Sequence, residues 1–205
     1  MKEEQETRER LLKSAKKEFS EKGYMKASLR KICSQAGVTT GALYFFFQDK
    51  EDLFGALVEE PIKGIYDILY RHFDEESEML AQPLKYVHED GDHDHFAEAL
   101  VRHLYDNYDA FILLLKKSQG SRYEGFIDDV TTFLEKRYLV FMTHYAKEQD
   151  LPAPNAFFVH LIIHISVDLQ VQLLLYERDV EKAIAIQKKM MDFIVGGCIK
   201  LVFSK

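Results

Sequence analysis

Residues 28–54 read SLRKICSQAGVTTGALYFFFQDKEDLF, and this stretch decides the fold. Ser28 is placed to cap a short helix whose inward residues are Leu29, Ile32 and Cys33. Gly37 permits a sharp turn, and Thr39 caps a second helix that begins thinly, with Gly41 and Ala42. Leu43 and Phe47 point back toward a small core. Asp49 caps a further helix, with Glu51 and Asp52 in the first turn, where the helix dipole favours anions. Two short helices around a tight turn form a helix-turn-helix, which lays its second helix in the major groove of DNA.

Upstream, residues 6–22 form one predicted helix. Leu11, Leu12, Ala15 and Phe19 make its apolar stripe, Thr7 is its expected N-cap and Gly23 its stop. Downstream, the helix entered at Asp49 carries Leu53, Phe54, Leu57 and Val58. It is expected to kink or break at Pro61 before the apolar spacing resumes at Ile62, Ile65 and Leu69. Residues 74–94 are polar and predict an irregular connection. Four more helices are expected over roughly 95–118, 121–149, 153–177 and 179–203. No alternating strand pattern occurs, so the fold class is all-α. The predicted organisation is a three-helix DNA-binding domain over 1–50 and a helical effector-binding and dimerisation domain over 51–205.

Charge supports the division. The net charge is −7, yet residues 1–50 carry 11 Lys and Arg against 7 Asp and Glu, leaving the remainder strongly acidic. A basic head can face phosphates while an acidic body stays off them. The start of the chain has no signal-peptide core, no apolar run reads as long enough to span a bilayer, and two cysteines suit a reducing compartment. The expected location is cytoplasmic, with Cys33 and Cys198 as buried thiols. The last two helices are apolar around most of their circumference, as in Phe157, Phe158, Leu161, Ile162 and Ile165, then Ile184, Ile186, Met190 and Phe193. Such helices are covered on more than one side, and a second copy of the chain is the economical cover.

The chain resembles the TetR/AcrR family of one-component bacterial regulators. The matching residues run from Thr7 to Leu12, Phe19 to Tyr24, Ser28 to Ile32, Ala36 to Val38 and Gly41 to Tyr44, then Phe47 and Lys50 to Leu53. The resemblance implies a homodimeric repressor that binds a palindromic operator and is released by a small molecule. No cofactor and no membrane partner are expected. DNA contacts are expected at Thr7, Ser28, Thr39, Thr40, Gly41, Tyr44, Phe46 and Lys50. Tyr44 would donate to a phosphate, as the matching tyrosine tends to. For Thr7, Ser28 and Thr39, capping and phosphate contact both remain open. Thr40 stands where many members have Lys, and Phe45 and Phe46 where Tyr or His is common. One of the two phenylalanines is expected to pack on sugar or a thymine methyl.

Pocket lining is expected among the central aromatics: Tyr66, Tyr105, Tyr108, Phe111, Tyr123, Phe126, Phe133 and Phe141, with His164. Two histidine clusters have metal-ligand chemistry: His88, His93 and His95 among acids, and His160, His164 and Asp168 at steps of four. The first reads as a solvated acidic loop and the second as interface or pocket wall, so no metal is expected. An enzyme is disfavoured because no phosphate loop or nucleophile motif appears. A helical interaction protein without DNA binding is disfavoured by the order of the helix-turn-helix residues.

Overall fold

The computed structural model describes residues 2–80 and 92–202. Among the described residues there are nine helices: α1 (Lys2–Lys26), α2 (Leu29–Ala36), α3 (Thr40–Phe46), α4 (Lys50–Leu80), α5 (Asp92–Asp106), α6 (Tyr108–Lys117), α7 (Phe126–Glu148), α8 (Ala156–Tyr176) and α9 (Val180–Val202). They pack as two units. One comprises residues 1–63 and 107–126, the other residues 64–106 and 127–205.

In the first unit, Leu11, Ala15 and Phe19 of α1 meet Ile32 and Cys33 of α2, Leu43 of α3, Phe47, and Leu53, Phe54 and Val58 of α4, all buried. This is the core that the apolar spacing predicts. The Ser14 hydroxyl donates to Ile32 O at 2.8 Å and fastens α1 to α2. Glu18 is buried beneath α2, where its carboxylate pairs with Lys31 at 2.7 Å and accepts from Ser28 N at 3.4 Å. A buried carboxylate is tolerated because it is paired and also neutralises a helix N-terminus. Phe111, Leu113 and Leu114 of α6 complete the core, and an ion pair joins Lys16 of α1 to Asp109 at 2.5 Å.

Several boundaries differ from expectation. The helix α1 begins at Lys2, so Thr7 lies inside it and is no N-cap; its hydroxyl accepts from Arg10 Nη2 at 3.2 Å. Gly23 does interrupt the helical dihedrals, at φ 73°. Pro61 does not end α4, which continues to Leu80. Proline's fixed φ fits a helix at the cost of a donor. Here the buried stripe Phe54, Val58, Ile65, Leu69 and Phe73 keeps helical register across it. Thus α4 takes in part of the stretch read as irregular. Of the rest, residues 81–91 lie outside the described residues and α5 starts at Asp92. The expected 95–118 helix is two, parted at Asn107. The start of α7 is Phe126, because residues 118–125 turn instead. There the Ser118 and Ser121 hydroxyls donate to Leu114 O and Ser118 O, both at 2.6 Å, and Gly120 adopts φ 83°.

The second unit is built on α8 and α9. Val159, Ile163, Val167 and Val202 form one core with Ile127, Leu134, Tyr138 and Met142 of α7. Val101 of α5 packs with Ala183 and Ile184 of α9 in another. By length and composition α8 is apolar enough to cross a bilayer, which corrects the reading that no such run exists. Within this chain it is a bundle helix, with one face in the core and His160, His164 and Asp168 on another. Its exposed face carries Phe157 (64% exposed), Leu161 and Ile165 (56%), and α9 adds Ile186 and Phe193 (73%).

The Glu18–Lys31 pair yields a stability prediction. Lys31, and after it the amide of Ser28, hold the Glu18 carboxyl below its ordinary range. The folded state therefore keeps the carboxylate charged at pH values where the unfolded chain protonates it. This stabilisation is complete above the ordinary carboxylate range and is lost as pH falls through the lowered folded value. Glu18→Ala is expected to cost about 1.5–3 kcal/mol in urea melts at pH 7, with a smaller penalty at pH 3. An equal cost at both pH values contradicts the assignment.

Candidate nucleic-acid interface

Local chemistry fixes the angle between α2 and α3. Ser28 caps α2 by accepting from Lys31 N at 3.4 Å, and Thr39 caps α3 by accepting from Ala42 N at 3.2 Å. Between them Gly37 sits at φ 67°, ψ 36°, a left-handed conformation that closes α2, with Val38 N donating to Cys33 O at 3.0 Å. Glycine takes this conformation without the penalty a Cβ brings. Of the three hydroxyls expected as caps, Ser28 and Thr39 are caps and Thr7 is not.

Burial then sorts the residues of α3. Leu43 is buried, as is Phe47 just beyond the helix, and Ala42 and Phe46 are half-buried. Thr40, Gly41, Tyr44 (57% exposed) and Phe45 (71% exposed) share one outward face. Positions i, i+1, i+4 and i+5 form a continuous strip on a helix. Gly41 keeps the strip thin; a Cβ there would meet only Thr39 Oγ1, at 3.8 Å. Of the two adjacent phenylalanines, Phe46 packs edge-on beneath Phe45 with ring centroids 4.9 Å apart. Exposure selects Phe45 as the aromatic presented outward, a distinction that residue type alone does not make. Two arginines that the sequence reading passed over flank the turn. Arg10 lies beside Gly37, 3.8 Å from where a Cβ would stand, and Arg8 covers the Phe47 ring at 5.5 Å. The α1 stripe predicts them outward, and that is the signal that could have found them.

Lys50 is half-buried. Its ammonium donates to Met25 O at 3.2 Å and Ala27 O at 3.3 Å, and sits 4.6 Å from the centre of the Tyr24 ring. Burial pulls its pKa down. An ammonium has three donors, so these two bonds leave capacity for one more acceptor. Asp49 Oδ1 accepts from Asp52 N at 2.8 Å, and Asp52 returns the bond by accepting from Gln48 N at 2.9 Å. That is a reciprocal capping arrangement for α4.

A carboxylate network lies along the first turns of α4. Glu51 accepts from the Tyr24 hydroxyl at 2.8 Å with one oxygen and from Arg122 N at 2.7 Å with the other. Glu59 bonds both the Arg122 guanidinium and the Tyr123 hydroxyl. Gly55 makes room for Tyr123, because a Cβ there would strike its hydroxyl. The 118–126 turn is thereby held against the start of α4.

The expected pocket residues do not gather in one place. Phe111 and Phe126 are core of the first unit, with ring centroids 6.3 Å apart, and Tyr108 and Tyr123 belong to that unit. Tyr66 and Phe133 do meet in the second unit, edge-on at 5.4 Å, joined by Tyr70 and Phe73. Tyr105 is a latch, its hydroxyl donating to Leu173 O and Glu177 O at 3.3 and 2.9 Å. Phe141 is half-buried and His164 is exposed. Asp168 does not join the two α8 histidines; it accepts from Gln172 at 3.3 Å, while Glu135 of α7 bonds both rings. In the other histidine cluster, His88 lies outside the described residues. His93 falls in the first turn of α5 with its side chain outside them, and His95 is exposed.

Comparison with known proteins agrees with this geometry. Residues 11–57 match the family of bacterial regulatory proteins, tetR family. The transcriptional repressor BepR of Brucella suis biovar 1 is 45% identical over 53 residues, 26% of this chain and 25% of that protein. The transcriptional regulator AcrR of Shigella flexneri is 47% identical over 57 residues, 28% of this chain and 26% of that one. The chain thus matches about a quarter of the length of these curated relatives. The crystal structure of a transcriptional regulator from Aquifex aeolicus VF5 shares the fold over 92% of this chain and 99% of that one, with TM-score 0.61 and 23% identity.

The network predicts an alkaline transition. Burial, then the Glu51 carboxylate, raises the Tyr24 phenol to about 12. A phenol that ionises later in the folded state adds stability that is full below pH 10 and is lost as pH rises toward 12. Glu51→Gln is expected to lower the Tyr24 value, read by ultraviolet titration, and to speed amide exchange at Arg122. Unchanged exchange at Arg122 would show that the Glu51 bond does not hold the turn.

Proposed function

We propose that this TetR/AcrR-like chain is a ligand-responsive transcriptional repressor that binds a palindromic operator as a homodimer in the cytoplasm, not an enzyme. The carrying observation is the outward strip of α3, Thr40, Gly41, Tyr44 and Phe45, on a capped helix-turn-helix. The match over residues 11–57 supports the same reading. Residues 1–50 read DNA, and residues 51–205 bind the effector and dimerise. Thr40 and Thr39 reach base edges, with Gly41 allowing close approach. Tyr44 donates to a phosphate. Phe45 takes the apolar contact with sugar or a thymine methyl, while Phe46 supports it from below. Ser28 and Thr7 lie at the margin with Arg8 and Arg10, and Lys50 offers its remaining proton to a phosphate. Without the common lysine at position 40, non-specific affinity is modest and its salt slope shallow.

Dimerisation is supported by the uncovered apolar face of α8 and α9. Two heads on a two-fold axis meet half-sites about 34–36 Å apart. Effector control is supported by the packing of α6 against α1, through Lys16–Asp109, and by the Glu51 and Glu59 bonds to the 118–126 turn. A displacement of α6 carries α1 and the reading helices with it. An effector seated by the Tyr66–Phe133 aromatics would be apolar or aromatic, and its binding would spoil the half-site spacing and release the operator.

Selection of bound DNA from a random pool is expected to yield a palindrome. On that operator, Tyr44→Ala and Phe45→Ala should each weaken binding at least about 10-fold. Binding unaffected by both, and by Thr40→Ala, would remove α3 as the reading helix. Separately, Ile165→Glu is expected to shift the protein to monomer in sedimentation velocity and weaken operator binding with it; a dimer that persists places the interface elsewhere.

A further inference from the structure

We propose that Glu135, His160 and His164 form a binding site for a divalent transition-metal ion of the zinc class. This inference is independent of the operator reading. His160 and His164 stand one turn apart on α8, with ring centroids 4.2 Å apart. Glu135 reaches them from α7: its Oε1 lies 2.7 Å from His160 Nδ1 and 3.3 Å from His164 Nε2. The three ligand atoms all fall within 4.8 Å of one another. A tetrahedral cation with bonds of about 2.0–2.2 Å spaces its ligands by roughly 3.4 Å. Small side-chain rotations reach that spacing, and they are free to occur because both histidines are exposed and Glu135 is half-buried.

The chemistry of the donor set selects the ion. Two imidazoles and one carboxylate suit zinc, nickel, cobalt or copper and are poor ligands for magnesium or calcium, which take oxygen. His160 coordinates through Nδ1 and carries its proton on Nε2; His164 coordinates through Nε2 and carries its proton on Nδ1. The carboxylate cancels one of the two cation charges. Three protein ligands leave a fourth position, which faces outward and takes water. Occupancy fastens α7 to α8 beside Phe157, Leu161 and Ile165, so the ion stiffens the apolar face at its edge.

Among the described residues no other trio of histidine, cysteine and acidic side chains is arranged in this way. Spacing along α8 pairs His160 with His164 and offers Asp168 as the third group. Only the packing of α7 on α8 supplies Glu135.

The test titrates tag-free, full-length protein with Zn²⁺ by calorimetry and with Co²⁺ by visible absorption. One equivalent per chain is expected, with a Co²⁺ spectrum of four-coordinate form and a thermal midpoint that rises with added Zn²⁺. His160→Ala, His164→Ala and Glu135→Ala should each weaken binding at least about 10-fold, with helicity unchanged by circular dichroism. Glu135→Asp, which keeps the charge but shortens the arm, should fall between. A protein with His88, His93 and His95 all changed to Ala should bind as the parent does. No stoichiometric binding, or binding lost in that last protein and kept in the His160 and His164 variants, overturns the site.

Discussion

Everything in the first packing unit turns on Phe54. This ring has no solvent exposure and touches three others: Phe19 at 5.0 Å, Tyr24 at 5.4 Å and Tyr123 at 5.8 Å between centroids. Those partners come from α1, from the segment just past its glycine break, and from the turn after α6. A single residue of α4 thus ties α1 and the segment after Gly23 to the returning segment. Edge-to-face contacts have defined geometry as well as buried area, so the four rings hold an arrangement and do not merely fill a volume. Around them the polar atoms are paired: the Tyr24 hydroxyl with Glu51, the Tyr123 hydroxyl with Glu59, and Lys50 with two carbonyl oxygens. Apolar rings inside and a carboxylate rim outside is an economical way to keep a small head rigid.

The sequence disclosed the head well because its signals are local. A hydroxyl three residues before an amide, a glycine after a short helix and an apolar residue every third or fourth position are short-range relations. Hence the caps at Ser28, Thr39 and Asp49, the turn at Gly37 and the inward positions of Leu43 and Phe47 were all legible. Each misreading has its own physical cause. Proline at position 61 is a helix breaker by propensity, yet the buried stripe on either side of it outweighs one lost bond. The break at Asn107 carries no strong stop signal; it exists because α5 and α6 belong to different cores. The serine turn at 118–125 looks helical by composition until hydroxyl competition and Gly120 are weighed.

Side-chain groupings that depend on long-range packing were less legible still. Aromatic residues scattered between positions 66 and 141 suggested one pocket, but burial assigns Phe111 and Phe126 to one core and Tyr66 and Phe133 to another cluster. The α8 histidines were visible as a pair four apart, whereas Glu135 lies 25 residues before His160 and nothing short-range ties it to them. Phe45 and Phe46 are alike as letters and differ only in which side of α3 they occupy.

The first unit is discontinuous: the chain leaves it after Lys63 and comes back at Asn107. Bringing the ends of that excursion together costs about 3 kcal/mol of chain entropy by the logarithmic closure law. Phe111, Leu113 and Leu114 arrive only with the return, and before then the core they complete stays open to water. A nascent chain therefore cannot finish its head when residue 63 leaves the ribosome. It must wait until the segment through Phe126 has been made. Synthesis order thus holds the helix-turn-helix immature until α5 and α6 exist, so a truncated product that ends early carries its letters without a finished hydrophobic interior beneath them.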